Sequence, residues 1–184
     1  MNISHPIEVI ESLFEAKGSL QYGEDVTQLA HALQCGHLAE KDGAPEALVV
    51  AAVFHDLGHM IHRDAAQAIR VGADDRHEVL GARWLARWFG TEVTEPIRLH
   101  VQAKRFLCAR EPKYMEQLSP LSIRTLELQG GPMSLEEANE FETQPYGLQA
   151  AQLRRWDDQG KLPELKTPSL RHFTEKAAKL LVTG

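Results

Sequence analysis

The chain is poor in cysteine, in positive charge and in long apolar runs. Of its 184 residues only two are cysteine, Cys35 and Cys108. That is too few for a disulfide framework and suits a reducing cytosol, so the cytoplasm is the expected location. Lys plus Arg number 20 against 26 Asp plus Glu, a net charge of −6. An acidic surface repels a phosphate backbone, which argues against general nucleic-acid binding. Any anionic ligand would need a local cluster of positive groups. The longest apolar run, Ala47 to Phe54, is far shorter than the roughly 20 residues of a membrane span, so no membrane association is expected. The opening MNISHPIEVIESLF carries Glu8 and Glu11 inside its apolar pattern and reads as an amphipathic helix, not a signal peptide. What the chain has in quantity is histidine, nine in all.

An apolar fraction of 43% and a charged fraction of 25% are ordinary for a globular domain and exclude disorder of the whole chain. The length predicts one domain over residues 1–184. The hydrophobic period is helical nearly throughout, so an all-α helical bundle is expected. Ile7, Ile10, Leu13 and Phe14 make one stripe, ended by Gly18. A second helix is expected from about Asp25 to Asp42, with Gly43 as its stop. A third should start near Pro45 and run to His55 and Asp56, with Gly58 punctuating its end. Residues 64–75 read as loop with a short helical turn. Further helices are expected from His77 to Phe89 and from a Thr94-Glu95-Pro96 cap to about Cys108. Ser119 to Leu128 comes next, followed by a Gln129-Gly130-Gly131-Pro132 turn. Ser134 with Glu137 forms a capping box. Helices over Pro145 to Asp158 and Ser169 to Leu181 close the chain. The pattern assigns no oligomeric state.

His55-Asp56 ends a buried apolar helix. A charged Asp after Ala51-Ala52-Val53-Phe54 is costly unless it is paired or bound to a metal. The pair has company: His31 lies in the preceding helix, and His77 and His100 in the two that follow. Asp157, beside Trp156, offers another carboxylate. One ligand candidate per helix is how metal sites in bundle cores are built. Imidazole nitrogen with carboxylate oxygen suits iron, manganese or zinc.

In this order, His31, His55-Asp56, His77, His100 and Asp157 resemble the ligand pattern of the HD-domain superfamily, most of whose members are phosphohydrolases. The details resemble a smaller branch, the mixed-valent di-iron oxygenases. That branch includes myo-inositol oxygenase and the oxygenases that cleave the carbon–phosphorus bond of 1-hydroxyphosphonates. The motifs are Gln28 to Cys35 around His31, His55-Asp56-Leu57-Gly58-His59, His77-Glu78, and His100 with Ala103-Lys104-Arg105. Thr125-Leu126-Glu127 leads into Gln129-Gly130-Gly131-Pro132-Met133, and Arg154-Arg155-Trp156-Asp157 completes the set. The Gln-Gly-Gly-Pro-Met turn is not general among HD domains and points to the phosphonate oxygenases.

The resemblance implies two iron ions, mixed Fe(II)/Fe(III). His31, His55, Asp56 and Asp157 would hold one, and Asp56, His77 and His100 the other, with Asp56 bridging. It implies a 1-hydroxyphosphonate and O2 as the small-molecule partners. Lys104, four residues after His100, and Arg154, three before Asp157, would grip the phosphonate. Ser122 matches a hydroxyl near it, and His59 matches a histidine that contacts substrate oxygens, so His59 and Lys104 are the expected catalytic pair. Glu24 matches a residue that binds the cationic group at C2 of the substrate, and Tyr22 would close over the site. The family pattern there is Tyr-Ile-Gly-Glu, whereas this chain has Tyr22-Gly23-Glu24. The head group is thus open between a primary amine and trimethylammonium, and the product between glycine and glycine betaine. The competing expectation is an HD-type phosphohydrolase. His5, His37, His62 and His172 are expected at the surface or in packing, and Trp84, Trp88 and Phe89 in the core.

Overall fold

A computed structural model describes residues 5–22, 26–61 and 76–182. Helical periodicity becomes helix over most of them, in the order α1 (Pro6–Lys17), α2 (Gln28–Lys41), α3 (Glu46–Phe54), α4 (Leu57–Ile61) and α5 (His77–Leu85). There follow α6 (Thr91–Arg110), a 3-10 turn (Met115–Gln117), α7 (Pro120–Leu128), α8 (Leu135–Thr143), α9 (Gly147–Gln159) and α10 (Leu170–Lys179). The all-α expectation holds, with one addition. Gln21–Tyr22 and Val26–Thr27 pair as a small antiparallel ladder ahead of α2. Strands of two residues are too short to leave a period in the sequence. None of the described helices is long and apolar enough to cross a membrane.

The caps explain most boundaries. Ser134 and Glu137 make the expected capping box at α8. Gly43, at φ 71°, follows the end of α2. Helix α5 ends at Leu85, not at Phe89, because residues 86–88 turn and Phe89 bridges to Leu181. Three more boundaries differ from expectation. Helix α2 begins at Gln28 with Thr27 as its cap, because the ladder occupies the residues before it. Helix α6 begins at Thr91, not at Thr94. Pro96 therefore lies inside it, while the Thr94 hydroxyl bonds back to the Gly90 carbonyl at 3.1 Å. Gly58 lies within α4 and does not end a helix. The stretch 64–75 lies outside the described residues.

Helix α3 is the central rod, since every residue from Leu48 to Phe54 is buried. It packs against α2, α6, α9 and α10. A second apolar cluster, including Leu99, Phe106, Tyr114, Leu126 and Phe141, joins α6 to α7, α8 and α9. The long helices α6 and α9 pass through both clusters. They carry His100, Lys104, Arg154 and Asp157 on their buried faces. Phe89 is core, but Trp84 and Trp88 are half-buried and cross at 89° with the Arg87 guanidinium over both rings.

Gly58 has a structural duty of its own. A Cβ there would sit 1.9 Å from the His77 carbonyl oxygen and 2.6 Å from its carbon. That neighbour is backbone and cannot step aside, so the absence of a side chain is what lets α4 meet the start of α5. Gly58→Ala is expected to cost about 2–3 kcal/mol in a denaturant titration. It should also weaken metal retention on the His77 side, because Asp56 and His77 would be pushed apart.

Candidate metal centre

The site is assembled from six elements. His31 comes from the first half of α2, and His55 caps the end of α3. Asp56 is the turn between α3 and α4, its carbonyl accepting from the His59 amide at 3.0 Å. His77 opens α5, His100 is midway along α6, and Asp157 is near the end of α9. His31 and His55 are 0% exposed, His100 and Asp157 1%, Asp56 5% and His77 7%.

Backbone carbonyls fix which way three of the rings face. Nδ1 of His31 meets the Gly160 carbonyl at 2.8 Å, Nδ1 of His55 that of Ala52 at 2.8 Å, and Nδ1 of His100 that of Ile97 at 2.7 Å. A carbonyl can only accept, so each Nδ1 carries the hydrogen, and in a neutral ring Nε2 presents a lone pair. The lone pairs converge. Nε2 of His31 and Nε2 of His55 are 3.3 Å apart. Asp56 Oδ2 lies 3.7 and 3.4 Å from them, and Asp157 Oδ1 3.4 and 3.8 Å. On the other side, Nε2 of His77 and Nε2 of His100 are 3.1 Å apart. Asp56 Oδ1 lies 3.4 and 3.7 Å from these two. One carboxylate thus faces two donor groups, one oxygen to each.

This arrangement repels itself unless a cation sits in it. Asp56 Oδ2 is buried with no hydrogen-bond partner of its own, a costly state for a carboxylate oxygen. Donors about 2.0–2.2 Å from a common ion stand roughly 3–3.5 Å apart, and the gaps here, from 3.1 to 3.8 Å, lie within or a little beyond that range. Among the described residues three overlapping groups of three buried donors come together: His31, Cys35 and His55; His55, His100 and Asp157; and Asp56, His77 and His100. The residues fit a metal pair. Cys35 Sγ also lies 3.7 Å from His31 Nε2. Burial pushes its thiol pKa up, however, and its hydrogen is directed at the Trp156 carbonyl, so the donor set is nitrogen and oxygen.

Electrostatics point the same way. Burial opposes charge on Asp157, but Arg154 and the His31 and His55 rings outweigh it and hold the carboxyl well below its usual range. Asp56 is held down likewise by His55, His59 and His77 against burial. For His55, burial favours the neutral ring, yet Asp56 and Asp157 raise it to about 9. His100 goes the other way: burial, with His77 and His55 beside it, keeps the ring neutral. A metal would displace the His55 proton.

The remaining expected residues surround this cluster. His59 stacks on His77 with ring centroids 3.8 Å apart, its Nε2 3.9 Å from Asp56 Oδ1. The Tyr22 ring stacks on His31 at 3.8 Å, and its hydroxyl donates to Asp157 Oδ1 at 3.2 Å. Lys104 is 2% exposed, one turn beyond His100. Its ammonium donates to Thr125 Oγ1 at 2.8 Å, with the Ser122 carbonyl at 3.5 Å. Ser122 therefore meets Lys104 through its backbone, and its hydroxyl accepts from Ser119 Oγ at 3.1 Å. Arg154 Nη1 is 2.8 Å from Asp157 Oδ2. Arg155 turns away to Glu111, as its helical position implies. Glu24 and His62 lie outside the described residues. His172 pairs with Glu40 at 2.8 Å, and His5 caps α1.

Several roles here are not assigned by the sequence. Thr125 holds Lys104, and Asp158 takes Arg154 through Nε at 3.1 Å and Nη2 at 2.5 Å. The Tyr114 hydroxyl donates to the same Asp158. Asp158 had a signal, four residues after Arg154 on one helix. Tyr114, 44 residues from its partner, had none. The Gln129-to-Met133 turn proves to be an anchor. Arg105 Nε donates to the Gly131 carbonyl at 2.8 Å, and the Met133 amide bonds to the Arg105 carbonyl at 3.2 Å. Gly130 and Gly131 adopt φ of 100° and 72°, which a side chain would resist. The turn ties α7, with Ser122 and Thr125, to the stretch of α6 that carries Lys104.

A helical bundle whose core holds a double His/Asp cluster belongs to a known class. The HD domain profile matches residues 3–136, and the chain belongs to the HD-domain family. Within it, the chain falls among the phosphonate dioxygenases. It is 45% identical over 172 residues to hydroxymethylphosphonate dioxygenase of Gimesia maris, covering 91% of this chain and 86% of that one. It is 38% identical over 182 residues to [1-hydroxy-2-(trimethylamino)ethyl]phosphonate dioxygenase (glycine-betaine-forming) of Leisingera caerulea, covering 98% and 93%. An uncharacterized mimivirus protein, L432, is 36% identical over 160 residues.

Proposed function

We propose that this protein is a di-iron, O2-dependent enzyme that breaks the carbon–phosphorus bond of a 1-hydroxyphosphonate. The observation that carries the reading is a pair of buried cationic side chains, Lys104 and Arg154, set beside a cluster in which one carboxylate faces two groups of metal donors. A metal pair alone serves many reactions. A metal pair with two buried cations calls for an anionic substrate, and the two named relatives act on phosphonates.

His31, His55, Asp56 and Asp157 would hold one iron, and Asp56, His77 and His100 the second. The iron pair, bound there in mixed Fe(II)/Fe(III) form, supplies the redox chemistry that lets O2 oxidise C1. The other side chains bind and orient. Lys104 and Arg154 take the phosphonate oxygens and offset their charge. Ser122 and Thr125 line the same wall. His59, at the open edge of the Asp56 turn, donates to a substrate oxygen. Burial of the cluster keeps bulk water from the reacting carbon. The C1–H and C1–P bonds give four electrons to one O2, so the products are a carboxylate and phosphate and no external reductant is consumed.

The substituent on C1 follows from the residues ahead of α2. Glu24 and Tyr22 favour a cationic group, amino or trimethylammonium, giving glycine or glycine betaine. Hydroxymethylphosphonate, which lacks that group, is the second reading. The Gimesia relative's name favours it. We also read residues 1–184 as one domain, since α6 and α9 run through both apolar clusters, and place it in the cytoplasm on its two free cysteines, which suit a reducing compartment.

The test is phosphate release by iron-loaded protein from 2-amino-1-hydroxyethylphosphonate, its N-trimethyl analogue and hydroxymethylphosphonate, with and without O2. Phosphate is expected only with O2, and the fastest substrate assigns the head group. Anaerobic hydrolysis of phosphomonoesters with manganese, and no phosphate from the three phosphonates, would replace this reading with a phosphohydrolase.

A further inference from the structure

Arg154 is fixed in place by more than the metal ligand beside it. Its guanidinium is 6% exposed and carries five N–H donors. Nε and Nη2 form one edge, and Asp158 takes that edge with both oxygens, at 3.1 and 2.5 Å. Nη1 lies 2.8 Å from Asp157 Oδ2. Each terminal nitrogen therefore keeps a second N–H, the Nη2 one lying at the end of the fork where an anion can approach, and the Tyr114 hydroxyl also lies against the guanidinium. Asp158 is itself oriented. The hydroxyl of Tyr114, 5% exposed, donates to it from the chain segment after α6, and Lys161 Nζ approaches at 3.7 Å.

We propose that Asp158, aligned by Tyr114, is a positioning residue for anion recognition: it holds the Arg154 fork at an angle that leaves its end open to the phosphonate. Without it, the one carboxylate left paired with Arg154 among the described residues is Asp157. Arg154 would then turn further onto Asp157 Oδ2, which already faces its Nη1, and close its own open end, while Asp157 Oδ1 keeps its place at the His31 and His55 rings. The two carboxylates have opposite jobs, though adjacent in sequence. Asp157 turns Oδ1 to the His31 and His55 rings, while Asp158 turns both oxygens to the arginine. The inference rests on the phosphonate reading for the identity of the substrate but on the Arg154 geometry for the site.

The test is a double-mutant cycle on the iron-loaded protein. Binding of inorganic phosphate is measured by anaerobic calorimetry, alongside KM for the phosphonate turned over fastest. Asp158→Asn is expected to weaken phosphate binding and raise KM about tenfold, the usual loss for a hydrogen bond to a charged group. Iron content should stay at the wild-type value. Tyr114→Phe should weaken binding about threefold, and it keeps the test available if Asp158→Asn does not fold. In an Arg154→Ala background, Asp158→Asn should change phosphate affinity less than twofold, because a residue that acts through another has nothing left to act on. Loss of iron in Tyr114→Phe or Asp158→Asn, an undiminished effect without Arg154, or affinities unchanged in both variants would overturn the proposal. If the wild type turned over none of the phosphonates, the functional reading would fall, while the phosphate cycle would still decide what Asp158 does.

Discussion

Asp56→Ala is expected to lower the metal content from two ions per chain to below one and turnover by at least about a thousandfold. The reason is the division of labour within one carboxylate. Oδ2 faces His31 and His55 at 3.7 and 3.4 Å, and Oδ1 faces His77 and His100 at 3.4 and 3.7 Å. Removing any single histidine leaves one group intact. Removing Asp56 takes an anion from both groups at once, and two close cations without a shared anion repel each other at short range. Asp157 remains to offset the charge on the His31 side only. Metal analysis after anaerobic reconstitution reads the result directly. Asp56→Asn should fall between, because the amide keeps one neutral acceptor and turns a donor toward the other group. A variant that kept two ions and wild-type turnover would remove the basis for the site assignment.

Two of the proposed ligands, His55 and His100, are legible in the sequence because each follows a local rule. A histidine on the buried face of a helix presents Nε2 inward when its Nδ1 can reach the carbonyl three residues before it. That is what His55 does with Ala52 and His100 with Ile97. Helical period and burial then suffice to place them. His31 already escapes that rule, since its acceptor is Gly160. What is not legible depends on contacts between different elements of the fold. The two-residue strands before α2 have no period, so α2 was expected too early. The close approach of α4 and α5 through Gly58 and Gly81 needs both backbones in place before it shows. Tyr114 meets Asp158 only because α6 and α9 lie side by side. Thr94-Glu95-Pro96 looked like a cap because proline suits a first turn. Gly90 starts the helix earlier, and the Pro96 ring is accommodated inside it.

Lys104→Met is expected to separate function from stability: kcat/KM should fall by about 10²–10³-fold, while the midpoint of thermal unfolding at neutral pH should rise by about 2–4 °C. Burial lowers the Lys104 pKa, the Arg154 charge adds to it, and together they bring it to about 7. The sign of both effects follows. In the unfolded chain the ammonium keeps its proton up to about pH 10.4. Between about 7 and 10 the unfolded state therefore binds more protons than the folded one, and this residue's contribution to stability grows as pH rises through that window. At and below pH 7 the folded protein carries a buried charge whose hydrogen-bond partners among the described residues are the Thr125 hydroxyl and the Ser122 carbonyl, with the Asp157 and Asp158 carboxylates offsetting it in part. Methionine has the same reach and no charge to desolvate, so it should relieve that strain where the wild type suffers it most. The gain over wild type should shrink between pH 7 and pH 9. Activity runs the other way, since binding an anion needs the charged form, and kcat/KM reports the free enzyme. Its profile should turn down above about pH 7 in the wild type. The phosphonate's own ionisation enters every variant equally, so Lys104→Arg isolates the lysine: it stays charged, and its downturn should move to higher pH. A Lys104→Met protein that was no more stable at pH 7 than at pH 9, relative to wild type, would mean that the ammonium is already compensated in the fold and has no need of a phosphonate.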